Sequence, residues 1–166
     1  FGSTAQRLLR TAPCPVWIVK PEEMRDIREI LVATDLTDSA QEVLNSGVFV
    51  ARLLKAKLYV VHSLEFPFEA YLRTAGVTEE EVIKHRTRLR QEAQGKLDAH
   101  LVKSDARTLP HGLTTAILEG SPDDVLPKYI VENQIDLLIL GSQRHTGLSR
   151  MLLGNTAERI LPSVNA

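Results

Sequence analysis

The sequence has little of several features that would mark a specialised class of protein. It contains a single cysteine, Cys14, among 166 residues, so no disulfide can form within the chain and a reducing, cytoplasmic environment is expected. Aromatic residues make up only 5% of the chain, and its formal net charge is −1. A chain this close to neutral has no basic surplus to attract nucleic acid or an anionic membrane surface. No apolar run in it is long enough to span a bilayer.

What the sequence does contain is a set of short stretches typical of buried strands. They are EILVAT (29–34), AKLYVVHS (56–63), LTTAILEG (113–120) and DLLILGS (136–142). Near-continuous runs of Val, Ile and Leu are expected of parallel strands that helices cover on both faces. Helical patterns separate these stretches, at 39–56, 78–104 and 121–134. Thr78 and Glu81 have the spacing of a capping box, which marks the start of the second of these helices.

This alternation predicts a doubly wound α/β domain with a parallel sheet, right-handed crossovers and helices on both faces. Such a sheet usually has a fifth strand after its last helix, but little chain follows the helix that is predicted to begin near Asn155. A suitable pair of elements stands at the other end, where residues 4–10 have a helical pattern and are followed by the apolar stretch PVWIVK, from Pro15 to Lys20. We therefore predict a five-stranded sheet in which residues 15–20 supply the fifth strand.

Two octets near the ends of the chain are almost the same. GSTAQRLL covers residues 2–9, and GNTAERIL covers residues 154–161. A repeat at a spacing of about one domain length indicates tandem units. We expect residues 1–20 to be the terminal helix and strand of a preceding unit, residues 21–26 to be a linker, and residues 27–166 to be a domain that lacks its own last strand.

The loop after the last predicted strand has glycines in positions suited to phosphate binding. Gly141 ends that strand and Gly154 precedes a helix start. Glycine lets the backbone approach a phosphate closely, and the free N–H groups at a helix N-terminus attract anions. At this helix start Asn155 and Thr156 could contact a phosphate, or they could cap the helix, since Asn155 and Glu158 have capping-box spacing.

Asp35 presents a similar choice. It follows the first predicted strand, at the edge where doubly wound sheets bind their ligands. It could equally be a turn residue that helps to cap the next helix. No spacing of His, Cys, Asp or Glu in the sequence suggests a metal site, and no nucleophile stands in a motif that pairs it with a base. The sequence therefore favours binding over catalysis.

The chain resembles the universal stress proteins, including their tandem forms. The resemblance is carried by ILVATDLTDSA (30–40), LYVVHSLE (58–65), EGSPDDVLPKYIVENQIDLLILGS (119–142), TGLSRMLLGNTAERIL (146–161) and APCPVWIVK (12–20). It implies the fold of that family, which is like that of the adenine-nucleotide alpha-hydrolases, and a role in the stress response. Because the linker at residues 21–26 is short, we expect a homodimer with residues 15–20 at the interface, either swapped into a partner's sheet or paired edge to edge, or else a pseudo-dimer with the preceding unit. This resembles the dimers of the family, which commonly associate through the last strand.

The resemblance also implies a nucleotide site. In ATP-binding members of the family the last loop follows Gly, two residues, Gly, nine residues, Gly and then Ser or Thr. The matching positions here are Gly141, Arg144, Gly154 and Asn155, so the second glycine and the hydroxyl residue are replaced. The candidate site comprises Ala33, Thr34, Asp35, Ser63, Leu140, Gly141, Arg144, Gly154, Asn155 and Thr156.

Because of the two replacements, we expect a non-catalytic module that binds ATP with Mg²⁺, or AMP, weakly or not at all. If the family backbone is left-handed at the second glycine, Arg144 would be strained there, and its side chain would enter the space for phosphates. The alternative is an ATP-binding domain that hydrolyses ATP slowly.

Overall fold

The computed structural model describes residues 12, 14–19, 26–67, 71, 74–141 and 155–160. In this part of the chain, parallel strands form one sheet in the order β3-β2-β1-β4. The strands are β1 (Glu29–Ala33), β2 (Lys57–Leu64), β3 (Leu113–Glu119) and β4 (Leu137–Leu140). The helices are α1 (Ala40–Leu54), α2 (Glu79–Val102), α3 (Pro122–Glu132) and α4 (Asn155–Ile160), with a short 3-10 helix at Asp105–Thr108. The predicted α/β fold is confirmed, and the strand ends differ from the prediction by one or two residues.

The side chains of the central strands alternate between two apolar layers. Ile30 and Val32 face the layer that contains α1 and α2, whereas Leu31 faces the layer that contains α3 and α4. The fully buried residues of β1 and β2 are Ile30, Leu31, Val32, Leu58, Val60 and Val61. Because both faces of these strands are covered, neither needs polar residues, which explains the near-continuous apolar runs.

The start of α2 has the capping box that its sequence predicts. The hydroxyl oxygen of Thr78 accepts the backbone N–H of Glu81 at 3.3 Å, and a carboxylate oxygen of Glu81 accepts the backbone N–H of Thr78 at 3.0 Å. The hydrogen bonds from Thr78 lower the pKa of Glu81, because they favour its charged form. In the described part of the chain, no helix is both long enough and apolar enough to cross a membrane.

The predicted fifth strand is absent from the described residues of this single chain. Residues 15–19 have no regular secondary structure and join none of the four strands, while Lys20, the predicted helix over residues 4–10 and most of the predicted linker lie outside the described residues. Among the described residues the sheet therefore has four strands, where five were predicted. To pair with β4 in parallel, the segment would need a linker that runs back about 17–20 Å, and six residues only just reach that far when fully extended.

Candidate functional site

The carboxyl ends of β1 and β4 meet at one edge of the sheet, which is where the candidate residues of these strands lie. Ala33, the last residue of β1, is level with Leu140 of β4 and with Val61 of β2. Asp35 and Gly141 therefore emerge at the same edge. The strand order reverses between β1 and β4, and ligands of doubly wound sheets bind at such a switch point.

The backbone just after β1 is fixed by hydrogen bonds to β2. The N–H of Thr34 donates to the carbonyl oxygen of Val61 at 2.9 Å, which extends the ladder by one residue. The Nδ1 atom of His62 lies 2.9 Å from the carbonyl oxygen of Thr34. Because a carbonyl oxygen can only accept, Nδ1 of His62 carries the proton in this contact. His62 therefore holds the edge in place, and Ser63 follows it on β2.

Asp35 forms the turn that leads into α1. Its Oδ1 atom accepts the backbone N–H of Thr37 at 3.1 Å and the hydroxyl of Thr37 at 2.6 Å. Between them Leu36 has a φ of 59°, a left-handed conformation that is rare for a residue with a branched side chain, and only 9% of its surface is exposed. Asp35 is thus a turn residue, as one of the two interpretations held, but the N-cap of α1 is Ser39 and not Asp35. A contact with ligand at the same position stays a prediction, and the two roles are compatible.

Gly141 lies where α1 passes close to the end of β4. A Cβ atom on Gly141 would lie 3.3 Å from Cγ2 of Val43, which is closer than most Cβ contacts. Close packing on α1 is therefore one structural reason that favours glycine at this position, independently of any ligand. Arg144 and Gly154, with the loop between them, lie outside the described residues.

Asn155 and Thr156 open α4, as predicted for the helix start. The helix packs on α3 through buried Ala157 and Ile160, and Nε of Arg159 pairs with Oδ2 of Asp123 at 3.0 Å. The ion pair links α4 to the first turn of α3, and the buried Ile160 contributes more to the contact because Arg159 is more than half exposed. Across the described residues, no group of three or more His, Cys, Asp and Glu side chains could hold a metal ion.

The structure therefore brings Ala33, Thr34, Asp35, Leu140 and Gly141 together at one edge, with Ser63 on the adjoining strand. Sequence reasoning missed two contributors to this edge, Leu36 and Thr37. The Asp-x-Thr spacing is a known signal for a side-chain-stabilised turn and could have identified Thr37. Nothing in the local sequence marks the left-handed backbone of Leu36.

This geometry defines a doubly wound α/β domain with a candidate ligand site at the carboxyl ends of β1 and β4. The chain belongs to the universal stress protein family, since the family model described as "Universal stress protein family" matches residues 26–165.

Individual relatives agree with this assignment. The universal stress protein E homolog of Haemophilus influenzae is 28% identical over 170 residues, which cover 96% of this chain and 52% of that protein. The crystal structure of a putative universal stress protein from Pseudomonas aeruginosa is 29% identical, with a TM-score of 0.66 over 98% of this chain and 54% of the other. The chain thus spans about half the length of each of these two relatives.

A universal stress protein solved in complex with cAMP shares the fold at lower identity. Its TM-score is 0.52 and its identity 19%, over 86% of this chain and 94% of the other. At this identity the comparison shows a common fold.

Proposed function

We propose that this chain is a non-catalytic, cytoplasmic stress-response module that acts by assembling through the outer edge of β4 and binds adenine nucleotide weakly or not at all. The observation that carries the proposal is the partial exposure of β4. All of its residues are half-buried, in contrast to the complete burial of Ile30, Leu31 and Val32 in the neighbouring β1.

The exposure of β4 affects both layers of the domain. Leu137 and Ile139 are partly buried against one apolar layer, and Leu138 and Leu140 against the other. A strand that is apolar on both faces is typical of the interior of a sheet. An apolar strand at the edge of a sheet has unpaired backbone groups and is prone to hydrogen-bond to another strand. These features support the addition of a further strand beside β4.

Residues 15–19 have the properties required of that strand. The segment includes four consecutive apolar residues, VWIV, of which Trp17 is 58% exposed and Val19 is 76% exposed. Because a return within the same chain would be taut, we propose that the segment of one copy covers β4 of a second copy. A short connection under tension favours such an exchange.

We further propose that residues 1–20 correspond to the end of a preceding unit of a tandem protein. The repeated octet at residues 2–9 and 154–161 supports this, as does the coverage of about half of the Haemophilus relative. In such a protein the preceding unit would be a second candidate for the partner of β4.

The nucleotide part of the proposal rests on Asp35, Gly141 and the replacements in the last loop. Asp35 lies at the ligand edge, where its carboxylate could accept hydrogen bonds from the hydroxyl groups of a nucleoside. A protein of the same fold binds cAMP, which supports an adenine nucleotide as the ligand class. Arg144 and Asn155 replace the glycine and the hydroxyl residue of ATP-binding members, which supports weak binding of ATP or AMP. Tight binding of ATP by the unaltered chain would instead favour the alternative, a slowly hydrolysing ATP-binding domain.

The only tryptophan of the chain, Trp17, reports directly on the proposed assembly. If the segment covers β4 of another copy, Trp17 is buried, and its emission maximum lies at a shorter wavelength than in the urea-unfolded chain. Dilution should then shift the maximum to longer wavelengths as the copies separate.

A Val19→Lys variant should emit at the longer wavelength at every concentration, because a lysine ammonium at this position would have to be buried. Val131→Lys is the matched control, since Val131 on α3 is also 76% exposed, and it should leave the concentration dependence unchanged. Long-wavelength emission from the unaltered chain at the highest concentration would contradict the assembly.

A further inference from the structure

The α1 helix leaves part of its apolar surface uncovered. Phe49 and Leu53, which lie four residues apart in this helix, are 68% and 67% exposed. Residues at this spacing lie on the same side of a helix, so the two side chains form one patch. Adjoining apolar side chains that stay exposed mark a surface for association. The neighbours of this patch therefore decide what covers it.

Two hydrogen bonds show which flank of α1 faces α2. Gly47 faces the sheet, where a Cβ atom on it would lie 3.8 Å from Cδ1 of Ile139 in β4. To one side of Gly47, Nε2 of Gln41 donates to a backbone carbonyl oxygen of α2 at 3.3 Å. On the same side, Nη2 of Arg52 donates to the hydroxyl of Thr108, in the 3-10 helix after α2, at 3.0 Å. This flank of α1 is therefore occupied.

The other flank of α1 faces the side of β4 that no described strand occupies. Val43 marks this flank, since its Cγ2 atom lies against Gly141 at the end of β4. With about 3.6 residues per turn, Val50 and Leu53 follow Val43 along the same flank. Val50 is half-buried against the apolar layer that contains Ile139, whereas Leu53 is exposed. A strand added beside β4 would therefore pass next to Val50 and Leu53.

Residues 15–19 present a matching apolar surface. Their exposure alternates, since Trp17 and Val19 are exposed whereas Val16 and Ile18 are half-buried. A period of two is the pattern of an extended strand, in which successive side chains point to opposite faces. Trp17 and Val19 thus share one face, and the single chain leaves this face uncovered.

We propose that the flank of α1 formed by Val50 and Leu53 docks Trp17 of a second copy. This contact rests on the proposed addition of residues 15–19 beside β4. α1 connects the carboxyl end of β1 to the amino end of β2, so its last turn lies over the amino ends of the strands. A parallel fifth strand begins at the same ends, which places Trp17 against Val50 and Leu53.

The α1 flank makes the assembly selective. The backbone edge of β4 alone could pair with any extended strand, because main-chain hydrogen bonds supply affinity and side-chain contacts supply specificity. Leu53 adds an apolar contact that only a strand with a large apolar residue at the matching position can cover. The strand of a second copy supplies this residue as Trp17, and the short linker disfavours docking within one chain.

The dissociation constant of the dimer, measured by analytical ultracentrifugation of the 166-residue chain, tests this contact. Leu53→Ala should raise the constant at least about fivefold, because both copies lose apolar area that Trp17 covers. Val102→Ala is the matched control and should leave the constant unchanged, since Val102 is 69% exposed and lies on α2, beyond the opposite flank of α1. An unchanged constant in Leu53→Ala would overturn the docking of Trp17 but leave assembly through β4 intact, whereas a monomeric unaltered chain would overturn both.

Fluorescence quenching measures the same contact directly, since the chain has one cysteine, Cys14, and one tryptophan, Trp17. One copy carries Cys14→Ser and keeps Trp17. An excess of a second copy carries Cys14→Ser, Trp17→Phe and Leu53→Cys, with a nitroxide on the new cysteine. A nitroxide quenches tryptophan emission only at short range, so this label should remove most of the emission of Trp17. The same label on Val102→Cys should remove little.

The outcomes of the quenching experiment separate the docking contact from the assembly. Equal quenching by the labels on Leu53→Cys and Val102→Cys, in dimers of confirmed mass, would overturn the docking of Trp17 on α1. A labelled Leu53→Cys copy that no longer associates, while the labelled Val102→Cys copy still does, would support it, because the label then occupies the space of Trp17. Failure of every copy to associate, the unaltered chain included, would overturn the proposed assembly as well.

Discussion

Replacing Gly47 by alanine is expected to destabilise the domain by about 1–3 kcal/mol, the usual cost of overpacking a core. Elsewhere in a helix this substitution normally stabilises by about 0.5–1 kcal/mol. At Gly47, however, a Cβ atom would overlap Cγ2 of Val32 and would lie 3.8 Å from Cδ1 of Ile139. Val32 is fully buried in β1 and has no space into which to move, so α1 itself would have to shift.

Urea unfolding measures this effect, with Gly95→Ala as the matched control. Gly95 is also a helix-interior glycine, in α2, but it is exposed and a Cβ atom there would meet nothing within 4 Å. Gly95→Ala should therefore raise the free energy of unfolding by about 0.5–1 kcal/mol. If both substitutions raised the free energy of unfolding, the result would contradict the close packing of α1 on β1 and β4.

The double variant Arg144→Gly, Asn155→Ser is expected to bind ATP with Mg²⁺ at least about tenfold more tightly than the unaltered chain, a difference of about 1.4 kcal/mol. The two changes restore the glycine and the hydroxyl residue of the ATP-binding pattern. They remove a side chain from the space for phosphates and supply a hydroxyl donor at the helix start. Calorimetric titration of both proteins measures the difference.

A third protein, which carries Asp35→Asn in addition to the two changes of the double variant, is titrated in the same way. The gain in affinity should then be reduced, because the asparagine amide lacks the carboxylate charge that favours hydrogen bonds from a nucleoside hydroxyl. Circular dichroism should show an intact fold, since the asparagine carbonyl can still accept from Thr37. A double variant that binds no better than the unaltered chain would show that Arg144 and Asn155 are not what limits nucleotide binding.

The elements that could be predicted from the sequence are those fixed by local pattern. β1 and β2 can be recognised in the sequence as apolar runs, because both faces of these strands are buried and nearly every residue is apolar. The start of α2 is visible because Thr78 and Glu81 satisfy each other's backbone groups within one turn. The edge at which Asp35 and Gly141 emerge together is predictable as well, since it follows from the order of strands and helices.

The parts that could not be predicted depend on contacts distant in the chain. Glu29 and Lys57 become neighbours only through the register of a parallel ladder, which no local pattern specifies. The left-handed Leu36 is held by tertiary packing that overrides the preference of a leucine backbone. Residues 15–19 have strand composition but do not form the predicted fifth strand in the single chain, because the short linker barely reaches back to the open edge of β4.

The solution mass of the chain, with and without residues 1–20, tests the central claim most directly. We expect the 166-residue chain to have the mass of a dimer, because residues 15–19 of one copy cover β4 of the other. Without residues 1–20, β4 would keep an open apolar edge, and the remaining domain should aggregate or lose stability. A monomeric 166-residue chain, or a stable and soluble monomer after the removal of residues 1–20, would contradict assembly through β4.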